Sequence, residues 1–240
     1  MTPKPRGSVW LYARTVAEMA RVSVSTLQES LTGSLDRGVI DRRLDQWSAN
    51  CADIARAQVI AAGLEHVGRG PYVVMSNHQS NFDIVAIYRA FPGSLRMVAK
   101  QEMSRLPLLG AAMNAAEFIF VDRKNNAAAR ASLDLARERI QSGINVWIAP
   151  EGTRSRDGEL GPFKKGGFML ALQAGVPILP CTVTGSRDVV PVGSMEVHRH
   201  RRVHVRFHEA IDAPAYGLER RDALMADVRA RIASGFVADH

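Results

Sequence analysis

Tyr72-Val73-Val74-Met75-Ser76-Asn77-His78-Gln79-Ser80-Asn81-Phe82-Asp83 sets the architecture of this chain. It opens as a short apolar run of a length and composition suited to a buried strand. A polar turn follows, and Ile84–Phe91 then takes up helical spacing. Strand, turn and helix in immediate succession form the unit from which parallel sheets are built. Downstream the texture repeats. Leu95–Ala99, Glu117–Val121, Ile144–Ala149 and Ile178–Thr184 read as strands, while Pro107–Ala116, Asn126–Ser142 and Gly166–Ala174 read as helices. A hairpin near 194–208 and a closing helix near 218–235 complete the pattern. The expectation is an α/β fold, a single domain with a largely parallel central sheet flanked by helices.

Upstream, residues 8–31 read as an amphipathic helix. Val9, Ala13, Val16, Ala20, Val24, Leu27 and Leu31 recur at three- and four-residue spacing. That stripe suits either packing on the domain's own core or lying on a bilayer surface with Trp10 and Tyr12 at the interface. A second helix is expected over 39–63, stopped by Gly63. Residues 1–63 are therefore read as an N-terminal helical segment, with membrane-surface contact as one of its two readings, and 64–240 as the α/β domain. No run of about 18 apolar residues is present, so no spanning helix is expected. Nor does an apolar stretch of leader type follow Lys4 and Arg6.

The 240 residues are 46% hydrophobic, enough for one substantial core, and carry a formal net charge of +7. That charge favours anionic partners. With only 6% aromatic residues and no basic groove interleaved with aromatics, a nucleic-acid partner is not expected. Cys51 and Cys181 stand far apart in apolar settings and read as buried free thiols of a reducing compartment.

The chemistry lies where strands end, because open α/β sheets bind ligands outside the carboxyl ends of their strands. After the first quoted strand, His78 and Asp83 sit five residues apart across the turn. Asp83 suits a helix N-cap, and its carboxylate can also reach one imidazole nitrogen and leave the other free to take a proton. A turn that merely satisfies its own backbone has the same composition. Ser80 lies inside the stretch without a GxSxG elbow, so direct attack by a substrate hydroxyl is preferred over a protein nucleophile. Arg123 follows the strand ending at Val121. Pro150-Glu151-Gly152-Thr153-Arg154-Ser155 follows the strand ending at Ala149. Two guanidinium groups at one sheet edge suit a phosphate, and Gly152 permits close backbone approach. Pro162-Phe163-Lys164-Lys165-Gly166-Gly167 leads into a helix and lacks the nucleotide-loop pattern. His198, His200, His204 and His208 share a strand face with Arg202 and Arg206, whose charges disfavour a metal there. With Arg199 and Arg201 the region suits anionic headgroups.

Taken together and in order, four stretches resemble the 1-acyl-glycerol-3-phosphate O-acyltransferase (lysophosphatidic acid acyltransferase) family. They are Asn77–Asp83, Phe120-Val121-Asp122-Arg123, Pro150–Ser155 and Val176-Pro177-Ile178-Leu179-Pro180. Val98–Glu102 with Pro107 and Gly110 resembles the family's connecting segment, and the likeness spans roughly 60–190. The resemblance implies an acyltransferase domain over 64–240, with His78 as base, Asp83 as its partner, and neither metal nor cofactor. It implies phosphate binding by Arg123, Glu151, Gly152, Thr153 and Arg154. From their own placement, with Lys164 and Lys165 leading into a helix N-terminus, Lys100, Lys164 and Lys165 are read as further anion or headgroup contacts. The implied partners are an acyl-CoA or acyl-carrier-protein donor, a lysophospholipid acceptor and an anionic membrane surface. Many relatives carry an N-terminal span; here attachment to the cytoplasmic face is expected to be peripheral. Other readings are the same chemistry on another lysolipid, such as a lyso-ornithine lipid, or a non-catalytic lipid-binding protein.

Overall fold

The computed structural model describes residues 7–122 and 126–237. Two helices come first. α1 (Val9–Thr32) is capped by the Ser8 side chain, which accepts from the Leu11 amide, and stops at left-handed Gly33. α2 (Arg37–Ala55) is capped in the same way by Asp36 and ends on Arg56 at φ 46°.

The helix expected over 39–63 therefore stops short, because Gln58–Ala62 is a strand, β1. Its alanines carry no helix-only signal, and pairing along β7 (Arg202–Phe207) supplies the missing partner. Gly63 marks the end of β1 instead of the end of a helix. Its φ is 72°, and a Cβ there would come within 1.9 Å of the Phe207 carbonyl oxygen.

From here the expected alternation holds. The elements are β2 (Val73–Ser76), α3 (Phe82–Ala90), β3 (Leu95–Lys100), α4 (Leu109–Ala115), β4 (Ile119–Val121) and α5 (Asn126–Gln141). They continue as β5 (Asn145–Ile148), α6 (Gly166–Ala174), β6 (Ile178–Thr184), the single turn α7 (Ser186–Val189), β7 and α8 (Arg221–Val237). The strands lie in one sheet in the order β1-β7-β6-β2-β5-β3-β4. Every neighbouring pair is parallel except β6–β7. The carboxyl ends of β2 through β6 thus share one sheet edge.

The hairpin expected near 194–208 is not formed. Val197 makes an isolated bridge to Ser8, His200 turns at φ 58°, and only Arg202–Phe207 is strand, joined to β1 and β6. Its alternation is as read: Val203, Val205 and Phe207 are buried, with Arg202, His204 and Arg206 on the other face. His208 departs from the headgroup-facing strand expected of this region. It is buried and bonds Thr182 Oγ1 at 2.8 Å. Burial, with Arg206, Arg231 and His66 nearby, pushes its pKa down to about 4.

Successive strand residues face opposite layers, as the pleat requires. Val74, Trp147 and Leu179 pack under α1 to α4, while Val73, Met75, Val146 and Ile178 pack under α5, α6 and α8. α1 turns most of its apolar stripe away from the core. Its buried residues are Leu11, Ser23 and Thr26, whereas Val9, Ala13, Val16, Ala20, Val24 and Leu31 of its apolar stripe are exposed. No described helix is long and apolar enough to cross a membrane.

Candidate active site

The site begins where β2 ends. Asn77 is buried, and its side-chain amide exchanges two 2.8 Å hydrogen bonds with the backbone of Val183 in β6, imitating a strand neighbour. Ser76 Oγ accepts from Trp147 Nε1 at 2.9 Å and donates to the Asn77 carbonyl. These bonds pin the departing chain on both sides and turn His78 out at the sheet edge. Ser80, the alternative nucleophile, is buried. Its hydroxyl donates to the Val190 carbonyl and accepts from the Phe82 amide.

Asp83 is fully buried in the first turn of α3. It is not the N-cap expected of it; Asn81 holds that position without a side-chain bond. Instead a single oxygen, Oδ2, accepts from the amides of Gln79 (2.7 Å) and Ser80 (2.9 Å) and meets His78 Nδ1 at 2.7 Å. With the carboxylate as acceptor, Nδ1 carries the proton and Nε2 keeps its lone pair. The imidazole stands edge-on to Trp147, ring centroids 6.1 Å apart, and its side chain is 18% exposed.

Glu151 lies behind the same turn. One oxygen accepts from the His78 amide (2.9 Å) and the other from the Gly161 amide (2.8 Å). The loop is closed further by the Ser155 amide donating to the His78 carbonyl at 2.7 Å. Burial pushes the Glu151 carboxyl above its ordinary value, opposed by those two amides and by His78 and Arg229. Gly152, at φ 73°, makes the turn that sends Glu151 inward while Arg154 stays at the rim.

His78, Lys100, Gly152, Thr153 and Arg154 line one pocket of ≈ 290 Å³, whose apolar wall includes Ile84, Met97, Met103 and Trp147. Three of those residues, Ile84, Met97 and Met103, also line a second, partly open cavity of ≈ 120 Å³ among α1 to α4. Its other walls include Met19, Val22, Trp47, Tyr88 and Phe118. Lys164 and Lys165 are exposed and do not line the histidine pocket. Arg123 lies outside the described residues; Val121, which ends β4, is in register with Lys100. Among the described residues no group of three or more His, Cys, Asp or Glu is arranged to hold a metal.

Sequence patterns did not show the Asn77 clamp, the Trp147 wall or the backbone grip of Glu151. Each joins segments distant in the chain, and a polar residue bonding a remote amide leaves no periodic trace.

The arrangement is that of an α/β protein with an oriented histidine at the carboxyl edge of its sheet, beside cationic side chains and an apolar cleft. The chain belongs to the acyltransferase family, whose model matches residues 58–184, from the start of β1 to the end of β6. It is 35% identical over 173 residues to a chloroplastic 1-acyl-sn-glycerol-3-phosphate acyltransferase of Brassica napus, covering 71% of this chain and 48% of that one. The human alpha form of an enzyme of the same name is 40% identical over 119 residues, 49% of this chain and 42% of its own. The chain thus spans about half the length of these curated relatives. A crystal structure of the 1-acyl-sn-glycerophosphate (LPA) acyltransferase from Thermotoga maritima shares the fold. Its TM-score is 0.79 at 23% identity, covering 95% of this chain and 92% of that one.

Proposed function

We propose that the chain moves a fatty acyl group from a thioester, acyl-CoA or acyl-carrier protein, to the free hydroxyl of 1-acyl-glycerol-3-phosphate, giving phosphatidic acid. The observation that carries this reading is the 2.7 Å contact of His78 Nδ1 with buried Asp83, beside a pocket that is cationic at its rim and apolar within. The named function of the curated relatives supports the acceptor.

In this reading the acceptor phosphate sits against Arg154, Lys100 and Arg123. His78 Nε2 takes the hydroxyl proton as the acceptor oxygen attacks the thioester carbon. The C–O bond forms, the C–S bond breaks, and the proton passes to the departing thiolate. The donor's acyl chain occupies the apolar cavity that shares Ile84, Met97 and Met103 with the pocket. Glu151 is given a different task from phosphate contact. Both its oxygens already hold amides, and a carboxylate would repel a phosphate. The His78, Gln79 and Ser80 amides are likewise committed to Glu151 and Asp83, so none of the three serves the oxyanion. Attachment to an anionic bilayer runs through the outward apolar stripe of α1, at the cytoplasmic face.

The test is thiol release from acyl-CoA with a panel of lysolipid acceptors. The protein's own thiols do not interfere: Cys51 and Cys181 are buried, and burial pushes the Cys51 thiol up to about 12. Release is expected with 1-acyl-glycerol-3-phosphate, and Arg123→Ala or Arg154→Ala is expected to raise KM for it. Equal rates with a lysolipid lacking phosphate, or KM unmoved in both variants, would remove the phosphate assignment.

A further inference from the structure

We infer that Arg229, on α8 and outside the stretch matched by the family, is a positioning residue for His78, acting through the Leu160–Gly161 peptide and Glu151. The inference rests on the reading of His78 as the base.

The geometry forms one continuous relay. Arg229 Nη2 donates to the Leu160 carbonyl and Nη1 to the Gly161 carbonyl, each at 2.5 Å. The guanidinium also lies over the Phe163 ring, 5.4 Å from its centroid. Its planar fork suits two successive carbonyls, which a single ammonium does not. Leu160 C=O and Gly161 N–H are the two ends of one peptide plane. In a trans peptide they point in opposite directions, so gripping the oxygen aims the N–H. That N–H meets Glu151 Oε2 at 2.8 Å, and Glu151 Oε1 holds the His78 amide at 2.9 Å. Hydrogen bonds in such a chain polarise one another, and the protein interior strengthens the effect. The seat is close-fitting: a Cβ at Gly161 would come within 2.9 Å of Glu151 Oε2.

The relay is separable from the packing of α8. Leu224, Val228 and Ile232 are fully buried against the sheet and hold the helix there without Arg229. Arg229 is only half-buried, and the hydrogen bonds of its guanidinium go to the loop that carries Gly161. Removing it should loosen that loop while leaving α8 in place.

The experiment compares Arg229→Met, Arg229→Lys, Glu151→Gln and the Arg229→Met/Glu151→Gln double variant in the full chain. Arg229→Met is expected to lower kcat by roughly 10- to 100-fold with KM for the acceptor little changed, since small misplacement of a catalytic group acts on kcat. Arg229→Lys is expected to recover only part of it. In the Glu151→Gln background, Arg229→Met is expected to add less than about a threefold further loss, because both changes cut one relay. Hydrogen exchange supplies a readout independent of turnover. The His78 and Gly161 amides should exchange roughly tenfold faster in Arg229→Met, while amides of β2 do not change. Unchanged exchange at both amides, or kcat losses that multiply fully in the double variant, would overturn the relay. A wild-type chain without acyl transfer but with the exchange effect would retain the relay and remove the function proposed for the site.

Discussion

Two histidines in this chain illustrate how surroundings decide a residue's task. His78 meets a buried carboxylate through Nδ1 at the edge of a pocket. His208 is buried against Thr182 and stays neutral, with its pKa lowered from 6.5 to about 4. An unfolded chain takes up a proton at His208 once the pH falls below 6.5, whereas the folded chain does so only near 4. Stability contributed by neutral His208 is therefore complete above pH 6.5 and lost as the pH falls toward 4. At about 1.4 kcal/mol per pKa unit the full shift would be worth roughly 3 kcal/mol, and solvent screening at this incompletely buried ring lowers the loss below that. Denaturant melts across that range should show it, and His208→Gln should flatten the slope attributable to this residue; an equally steep slope would assign the loss to other groups. Residue roles were legible in the sequence only where partners were near. His78 and Asp83 are five apart and could be paired on paper. Glu151 and Arg229 act on backbone groups 73 and 68 residues away, and only the folded sheet brings those groups to them.

Among the elements, α1 is the clearest case of a pattern whose meaning depends on orientation. The spacing of Val9, Ala13, Val16, Ala20, Val24 and Leu31 defines a stripe but not what the stripe faces, and the structure shows it facing outward. Trp10 is 73% exposed and Leu31 88%. Apolar burial is worth about 25 cal/mol per Å², so this surface should drive partition onto vesicles containing anionic lipid. Val16→Ser with Trp10→Ala is expected to weaken vesicle co-sedimentation by about tenfold or more and to leave the melting temperature unchanged. Undiminished binding would place the contact on another surface. β1 and the 194–208 segment depart from the expected pattern for a related reason. Val59 and Ile60 sit among alanines that fit a helix equally well, and β7 finds its partners in β1, far upstream, and in β6, across the 185–201 connection, not in a hairpin arm within 194–208.

At the scale of the molecule, parallel order converts sequence order into a site. Because β2, β3, β4 and β5 run the same way, the segments after them emerge at one edge, and His78, Lys100 and Arg154 meet around one pocket. That convergence was legible once the strands were read as parallel, because each polar stretch follows a strand. The cavity between α1 and α4 was not, since Met19, Trp47 and Phe118 come from helices and turns whose packing no local pattern states. In the proposed reaction the site turns on one proton, which Nε2 of His78 takes from the acceptor hydroxyl while Nδ1 stays bonded to Asp83. The most direct measurement is acceptor-dependent thiol release from acyl-CoA by the wild-type chain and by His78→Ala, with folding verified by circular dichroism. General-base catalysis by a positioned side chain is worth about 10²- to 10⁴-fold. A loss of that size in a folded His78→Ala variant is the expected result, and near-normal turnover in that variant would contradict the assignment of His78 as the base.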